Sequence, residues 1–182
     1  MNQQRIAALS LVLACAALVG ACGGMPMGPG RPGATASLVP TQAVSPNATV
    51  GNVSFTPLDH GVRVAGEVRG LPPNTEHGFH IHEKGDCGDN GNASGGHFNP
   101  SGGTHGKYGA AGSHAGELPS LVADASGVAR FSVDDHAISL TPGAPNNVIG
   151  RALVVHRDRD DFTTQPAGNS GPRIACAVIP KG

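Results

Sequence analysis

The chain has 182 residues, enough for one domain with a buried core and too few for two once its N-terminal segment is set aside. Its 28 glycines and 15 prolines, against five phenylalanines, one tyrosine and no tryptophan, favour turns and short strands and argue against long helices. Lys and Arg number 12 and Asp and Glu 13, and this balance gives no reason to expect a nucleic acid as partner.

Residues 1–21 have the pattern of an export signal. Arg5 supplies a positive charge, and the apolar run from Ile6 to Val19 that follows is too short to span a bilayer as a helix. The run ends in Val-Gly-Ala-Cys22, which resembles the lipobox of bacterial lipoproteins and implies a lipid on Cys22. The alternative is an ordinary secretory signal beside an incidental cysteine. Because Gly23 is not the acidic residue that retains lipoproteins at the inner membrane, we expect a periplasmic domain anchored to the outer membrane.

Residues 22–35 are rich in Gly, Pro and Met, a composition that predicts a flexible tether between the lipid and the domain. Residues 36–182 form the predicted domain. Within it, eight short segments are apolar or alternate in polarity, with no long helical period, and they predict an all-β antiparallel sandwich or barrel. These segments are 37–41, 49–56, 61–68, 77–82, 118–123, 128–133, 151–156 and 173–179.

Two intervals, 83–117 and 157–172, break this rhythm of strands. Stretches of that length without regular structure are usually functional inside a domain. The domain also keeps two cysteines, Cys87 and Cys176, after Cys15 leaves with the signal. In an oxidising compartment the two are expected to pair, and a bridge that closes a loop of roughly 90 residues stabilises by about 4 to 5 kcal/mol in the chain-entropy model.

Six of the nine histidines follow a pattern that core packing does not explain. His80 and His82 are two residues apart in HGFHIHE, so on a strand both imidazoles leave the same face. Neutral imidazoles in such numbers suit copper and zinc better than magnesium or calcium. The other four histidines of the pattern are His97, His105, His114 and His156.

Five segments resemble the copper/zinc superoxide dismutases, in order and over essentially all of residues 36–180: GFHIHE, GGHFNPSGGTHG, SHAGELP, GRALVVH and GPRIACAVI. The resemblance implies an eight-stranded antiparallel Greek-key β-barrel, an immunoglobulin-like sandwich with two long functional loops. It also implies a superoxide dismutase, whose redox-cycling copper converts superoxide to O₂ and H₂O₂. In a periplasmic protein this activity would protect the cell envelope from oxidative damage.

The same resemblance implies two neighbouring metal sites that share one ligand. His97 would bridge both ions as an imidazolate, take up a proton when copper is reduced, and deliver it to the forming peroxide. Copper would be bound by His80, His82, His97 and His156, and zinc by His97, His105, His114 and Glu117.

Two further residues receive roles from the resemblance. Asp160 would link a copper histidine, His80, to a zinc histidine, His105, although it could instead be a solvated loop acid. Arg173, three residues before Cys176, would guide the superoxide anion into the channel.

Three histidines have no assigned role: His60, His77 and His136. His77 shares the strand parity of core residues, so we expect it to be a packed framework residue.

Glu117 departs from the family pattern, which has Asp at this position. The added methylene moves the carboxylate by about one carbon–carbon bond, whereas zinc–oxygen distances vary only from about 2.0 to 2.2 Å. We expect zinc to be retained with altered affinity.

Glu117 is also the one feature that favours a second hypothesis, a non-catalytic copper- and zinc-binding envelope lipoprotein. A third hypothesis, a purely structural lipoprotein, would not need six ligand histidines. A homodimer and a monomer are both compatible with the sequence.

Overall fold

The described part of the chain is an all-β fold, given by a computed structural model of residues 33–41 and 48–181. The expected signal, Cys22 and most of the expected tether lie outside these residues, although β1 already begins at Ala34. No helix in the two described stretches is long and apolar enough to cross a membrane. The strands are β1 (Ala34–Pro40), β2 (Val50–Pro57), β3 (Val62–Arg69), β4 (Glu76–His77), β5 (Phe79–His82), β6 (Leu121–Val122), β7 (Ala129–Asp135), β8 (Ala152–His156) and β9 (Arg173–Val178).

Seven of the strands form one curled antiparallel sheet in the order β5-β8-β9-β1-β2-β3-β7, and β4 pairs with β6. This arrangement confirms the predicted all-β antiparallel class. The fourth predicted strand is divided at Gly78, whose N–H bonds the Asp158 carbonyl at 2.9 Å and whose carbonyl accepts from His156 N–H at 2.8 Å. A Cβ at Gly78 would lie 2.6 Å from Ser170 Oγ, so the loop after β8 docks here only because the residue is glycine.

The core lies inside the curled sheet and follows the alternation seen in the sequence. In β3, Val62, Val64 and Val68 are fully buried, whereas Arg63 is exposed and pairs with Asp134 at 2.6 Å. Burying a large apolar side chain contributes about 1.5 to 3 kcal/mol, so these faces fix the register of the sheet. Other large core side chains are Leu38, Phe55, Phe79, Ile81, Ile138, Leu153 and Ile179.

Asp135, the last residue of β7, is a buried carboxyl group with an incomplete set of partners. Its Oδ1 accepts from Ala137 N–H at 2.8 Å, but Oδ2 has no hydrogen-bond partner within the described residues. Burial raises the pKa of this group from 3.8 to about 6. The folded protein therefore holds the proton more tightly than the unfolded chain, so the group stabilises the fold below pH 4 and this stabilisation is lost as the pH rises through 6.

Replacing Asp135 by asparagine is expected to stabilise the fold at pH 7.5 by about 2 kcal/mol, because no charge is then buried. The gain over wild type should shrink as the pH falls through 6 and vanish only below pH 3.8, where the carboxyl is protonated in both states. Thermal unfolding of variant and wild type at pH 7.5 and pH 4.5 measures this decrease. The neighbouring Asp134→Asn, at an exposed ion pair, serves as control and should cost less than about 1 kcal/mol. Equal gains for Asp135→Asn at the two pH values would contradict the explanation.

Candidate metal centre

The first group of histidines forms where β5, β8 and the long loop after β5 meet. His80 and His82 leave the face of β5 opposite to its core residues, in agreement with the predicted alternation. β8 pairs with β5 and ends at His156, where the register with β9 shifts. An isolated bridge between His82 and His97 brings the loop to the same place. The four side chains are buried, and each offers a ring nitrogen within 4.8 Å of the others.

Two backbone carbonyls determine which nitrogens in this group are free. His82 Nδ1 bonds the Gly95 carbonyl at 2.9 Å, and His156 Nδ1 bonds the Gly171 carbonyl at 3.1 Å. Because a carbonyl only accepts, each Nδ1 carries the hydrogen and each Nε2 carries a lone pair, and the two Nε2 atoms lie 3.2 Å apart. Two lone pairs at that distance repel each other unless a positive charge lies between them, so this pair of rings fits a metal ion.

The protonation of these rings agrees with a role as metal ligands. Burial, assisted by the neighbouring rings, lowers the pKa of His80 and His82 well below the ordinary 6.5. Burial likewise lowers the pKa of His156 to about 4. At neutral pH the three imidazoles are therefore uncharged, and each keeps a lone pair for a metal.

The second group places one carboxylate oxygen among three imidazoles: His97, His105, His114 and Glu117. Glu117 Oε1 lies 2.8 Å from His114 Nδ1, 2.9 Å from His105 Nδ1 and 3.2 Å from His97 Nδ1. Ligand atoms around one tetrahedral zinc are about 3.3 Å apart, so a few tenths of an ångström of expansion would accommodate the ion. His114 Nδ1 makes no hydrogen bond within the described residues in spite of its short distance to Glu117 Oε1. The longer Glu117 therefore places a carboxylate oxygen where a fourth ligand could join the three imidazoles.

His97 belongs to both groups. Its Nδ1 faces Glu117, while its Nε2 is buried on the side of the first group without a hydrogen-bond partner in the part of the chain that the structure describes. The ring stacks on His80 at a centroid distance of 3.9 Å and lies 5.3 Å from His105. One imidazole thus offers one nitrogen to each group.

Asp160 lies between the two groups on the loop after β8. Its oxygens accept from His80 Nε2 at 2.8 Å and from His105 Nε2 at 2.9 Å, and it is buried. These bonds fix both rings and leave both Nδ1 atoms for metals. Gly168 makes this approach possible, since a Cβ there would collide with Asp160 Oδ1 and the His105 ring. The sequence analysis did not identify Gly168, although its left-handed φ of 64° is typical of a conformationally required glycine.

Arg173 begins β9 and is anchored to the short 3-10 helix Asp89–Ser94 and the residue after it. Its Nη1 bonds the Gly91 carbonyl at 2.8 Å, and its Nη2 bonds the Gly95 carbonyl at 2.6 Å. Gly95 also accepts the hydrogen bond from His82. A half-buried guanidinium is therefore held rigidly next to the first histidine group.

The predicted disulfide between Cys87 and Cys176 is present, with the two Cα atoms 5.8 Å apart. Cys176 is fully buried in β9 and forms a small apolar cluster with Ala152 and Val154. Cys87 packs against this cluster. The bridge therefore connects the loop that carries Gly91 and Gly95 to the strand that carries Arg173.

The three histidines without an assigned role lie outside both groups. His77 is buried, with Nε2 2.7 Å from Thr75 Oγ1 and Nδ1 3.0 Å from the His156 carbonyl, as expected of a packed framework residue. His60 and His136 are exposed, and His136 Nδ1 donates to the His60 carbonyl at 2.6 Å.

The family model and the curated relatives of this chain name the same family. The family model described as copper/zinc superoxide dismutase (SODC) matches residues 49–179. Copper–zinc superoxide dismutase 2 of Aquifex aeolicus is 40% identical over 134 residues, which are 71% of this chain and 78% of that protein. The copper–zinc superoxide dismutase of Paramecium bursaria Chlorella virus 1 is 40% identical over 156 residues, 80% of this chain and 82% of that one. A solved SOD-like protein from Bacillus subtilis superposes with a TM-score of 0.70 at 34% identity, covering 79% of this chain and 95% of its own.

Proposed function

The chain belongs to the copper/zinc superoxide dismutase family, and from this premise we propose that its two histidine groups form one dinuclear centre with His97 in common. The protein is an oxidoreductase that uses copper and zinc and converts two superoxide ions and two protons to O₂ and H₂O₂. The observation that carries the proposal is the position of His97, which offers a nitrogen to each group.

In this centre each protein group has a separate task. Copper, when held by the first group, would supply the one-electron chemistry that oxidises one superoxide and reduces the next. His97 would hold a proton at Nε2 when zinc occupies its Nδ1, which lies on the Glu117 side, and would pass that proton to the reduced oxygen species. Asp160 keeps His80 and His105 in orientation. Copper would be held by His80, His82, His97 and His156, and zinc by His97, His105, His114 and Glu117.

The experiment that tests the proposal is elemental analysis and a superoxide-consumption assay on one purified sample. We expect one copper and one zinc per chain and a rate that disappears when copper is removed. Copper without zinc would overturn the shared centre. Both metals without turnover would instead support a non-catalytic metal-binding lipoprotein.

We propose that Arg173 attracts the superoxide anion to the first group. Replacing Arg173 by glutamine is expected to lower kcat/KM by about tenfold or more at low ionic strength, because the fixed positive charge that steers the anion is lost. The dependence of the rate on salt should weaken at the same time, and the metal content should stay unchanged. Stopped-flow assays at several salt concentrations measure both effects.

Two further variants control for this effect. Arg173→Lys keeps the charge and should retain much of the salt dependence. Arg157→Gln removes an exposed arginine that pairs with Asp158 at 2.9 Å, and it should leave the rate nearly unchanged. An Arg173→Gln variant with both full rate and full salt dependence would rule out the steering role.

We also propose that residues 1–21 are an export signal, that Cys22 carries a lipid, and that residues 22–35 tether the domain to the outer membrane on its periplasmic side. The support is the apolar run that ends at Cys22 and the Gly/Pro-rich stretch after it. In a bacterial host, Cys22→Ser is expected to move the protein from the membrane fraction to the soluble periplasmic fraction. Release of the wild-type protein by osmotic shock would contradict the lipid anchor and leave a domain that is exported without one.

A further inference from the structure

Glu117 has two carboxylate oxygens in different surroundings. Oε1 faces the three Nδ1 atoms of the second group, as described above. Oε2 is buried, makes no hydrogen bond to any described residue, and lies 3.5 Å from His80 Nε2. A buried oxygen without a hydrogen-bond partner is costly, and here it faces a residue of the other group, His80.

The approach of Glu117 to His80 is set by the backbone. The two residues face each other in an isolated antiparallel bridge. Next to them, Ile81 N–H bonds the Gly116 carbonyl and Gly116 N–H bonds the Phe98 carbonyl, both at 2.8 Å. Residues directly opposite each other in such a pair project from the same face with Cβ atoms about 4.5 to 5.5 Å apart. The proximity of the two side chains therefore follows from the backbone and does not depend on one chosen rotamer.

The length of the side chain decides whether both contacts can be made. An aspartate at this position would be shorter by about 1.5 Å, the length of one carbon–carbon bond, and its oxygens could not reach both places. We propose that Glu117 is a positioning residue that acts on copper through His80. One oxygen serves the zinc group, and the other adds a second negative acceptor beside the His80 Nε2–H that Asp160 already binds at 2.8 Å. The inference rests on the proposed dinuclear centre and deepens it.

The consequence is a change in how strongly His80 donates to copper. A carboxylate near one ring N–H raises the basicity of the other nitrogen. In a buried site a negative charge at 3.5 Å is only weakly screened, and together with the more basic ring it favours Cu(II) over Cu(I). Moving Oε2 away from His80 should therefore shift the equilibrium between Cu(II) and Cu(I) toward Cu(I).

Glu117→Asp tests this directly, since it keeps the charge and shortens the arm. The copper-loaded, zinc-free protein is titrated between Cu(II) and Cu(I), so that a change in zinc affinity does not enter the comparison. We expect the Cu(I)/Cu(II) ratio at fixed potential to rise three- to tenfold, where tenfold corresponds to about 59 mV for one electron. Glu83→Asp makes the same change at the exposed carboxylate just after β5 and should shift the ratio less than 1.5-fold.

Glu117→Gln keeps the length and removes the charge, and it should shift the ratio in the same direction. If only one of the two Glu117 variants can be loaded with copper, that variant decides. A shift below 1.5-fold would overturn the inference and leave Glu117 as a zinc ligand only. A wild-type protein that binds no copper at His80 would instead count against the dinuclear centre itself, so the two failures are distinguishable.

Discussion

Replacing His97 by alanine is expected to lower the dismutation rate by about 10²- to 10⁴-fold and to reduce the content of both metals. The size of this decrease in rate follows from the loss of a proton donor at the reacting atoms, since such a loss alone lowers a rate by about 10²- to 10⁴-fold. The metal content falls because the substitution removes a ligand from both groups, and each group then keeps three of its four ligand residues. Elemental analysis and a superoxide-consumption assay on the same sample measure the two losses.

His105→Ala separates a shared ligand from an ordinary one. It removes a ring only from the second group, so zinc should be lost while copper stays bound. His136→Ala, at an exposed histidine outside both groups, should change neither metal. A His97→Ala protein that keeps both metals and a rate within tenfold of wild type would show that His97 is not shared.

Removal of the disulfide is expected to have the largest effect on stability. In the variant Cys87→Ser/Cys176→Ala the free energy of unfolding should fall by about 4 to 5 kcal/mol, because the bridge joins positions 89 residues apart and restricts the unfolded chain accordingly. Alanine is chosen at position 176 because a serine hydroxyl would be fully buried there. Denaturant unfolding of metal-free variant and wild type gives the difference.

The loss of the bridge should also affect the rate. The loop that it holds carries the Gly91 and Gly95 carbonyls, to which Arg173 is bound. Reduced wild type, with both thiols free and no substitution, is the matched control and should resemble the variant in stability. If both proteins lose less than about 1 kcal/mol, the stability of the fold comes from the sheet and the bridge matters only for the loop.

Much of the fold could be predicted because its signals are local. The valines of β3 alternate with polar residues, and Val62 and Val64 are buried as this pattern requires. The family motifs identified copper and zinc as cofactors, and the structure brings all six histidines of the pattern into two buried groups with Glu117. The predicted disulfide also follows from a count of cysteines together with the expected compartment.

The remaining features depend on tertiary placement and leave no local pattern. The Gly95 and Gly171 carbonyls select which nitrogen of His82 and His156 is free, but the direction of a backbone carbonyl in a loop cannot be derived from residue type. Gly78 divides the fourth predicted strand because a loop more than 75 residues away docks against it, as its hydrogen bond to Asp158 shows. The unpartnered oxygen of Asp135 is of the same kind, since the sequence does not reveal whether a carboxyl finds a donor.

The Gly95 carbonyl accepts hydrogen bonds from both His82 and Arg173. One peptide carbonyl therefore aligns an imidazole of the metal site and the guanidinium beside it, and a shift of this peptide moves both partners. Redesigning this loop to admit a bulkier oxidant should also turn the imidazole and disturb the coordination. Substitutions meant to change selectivity should leave this peptide in place.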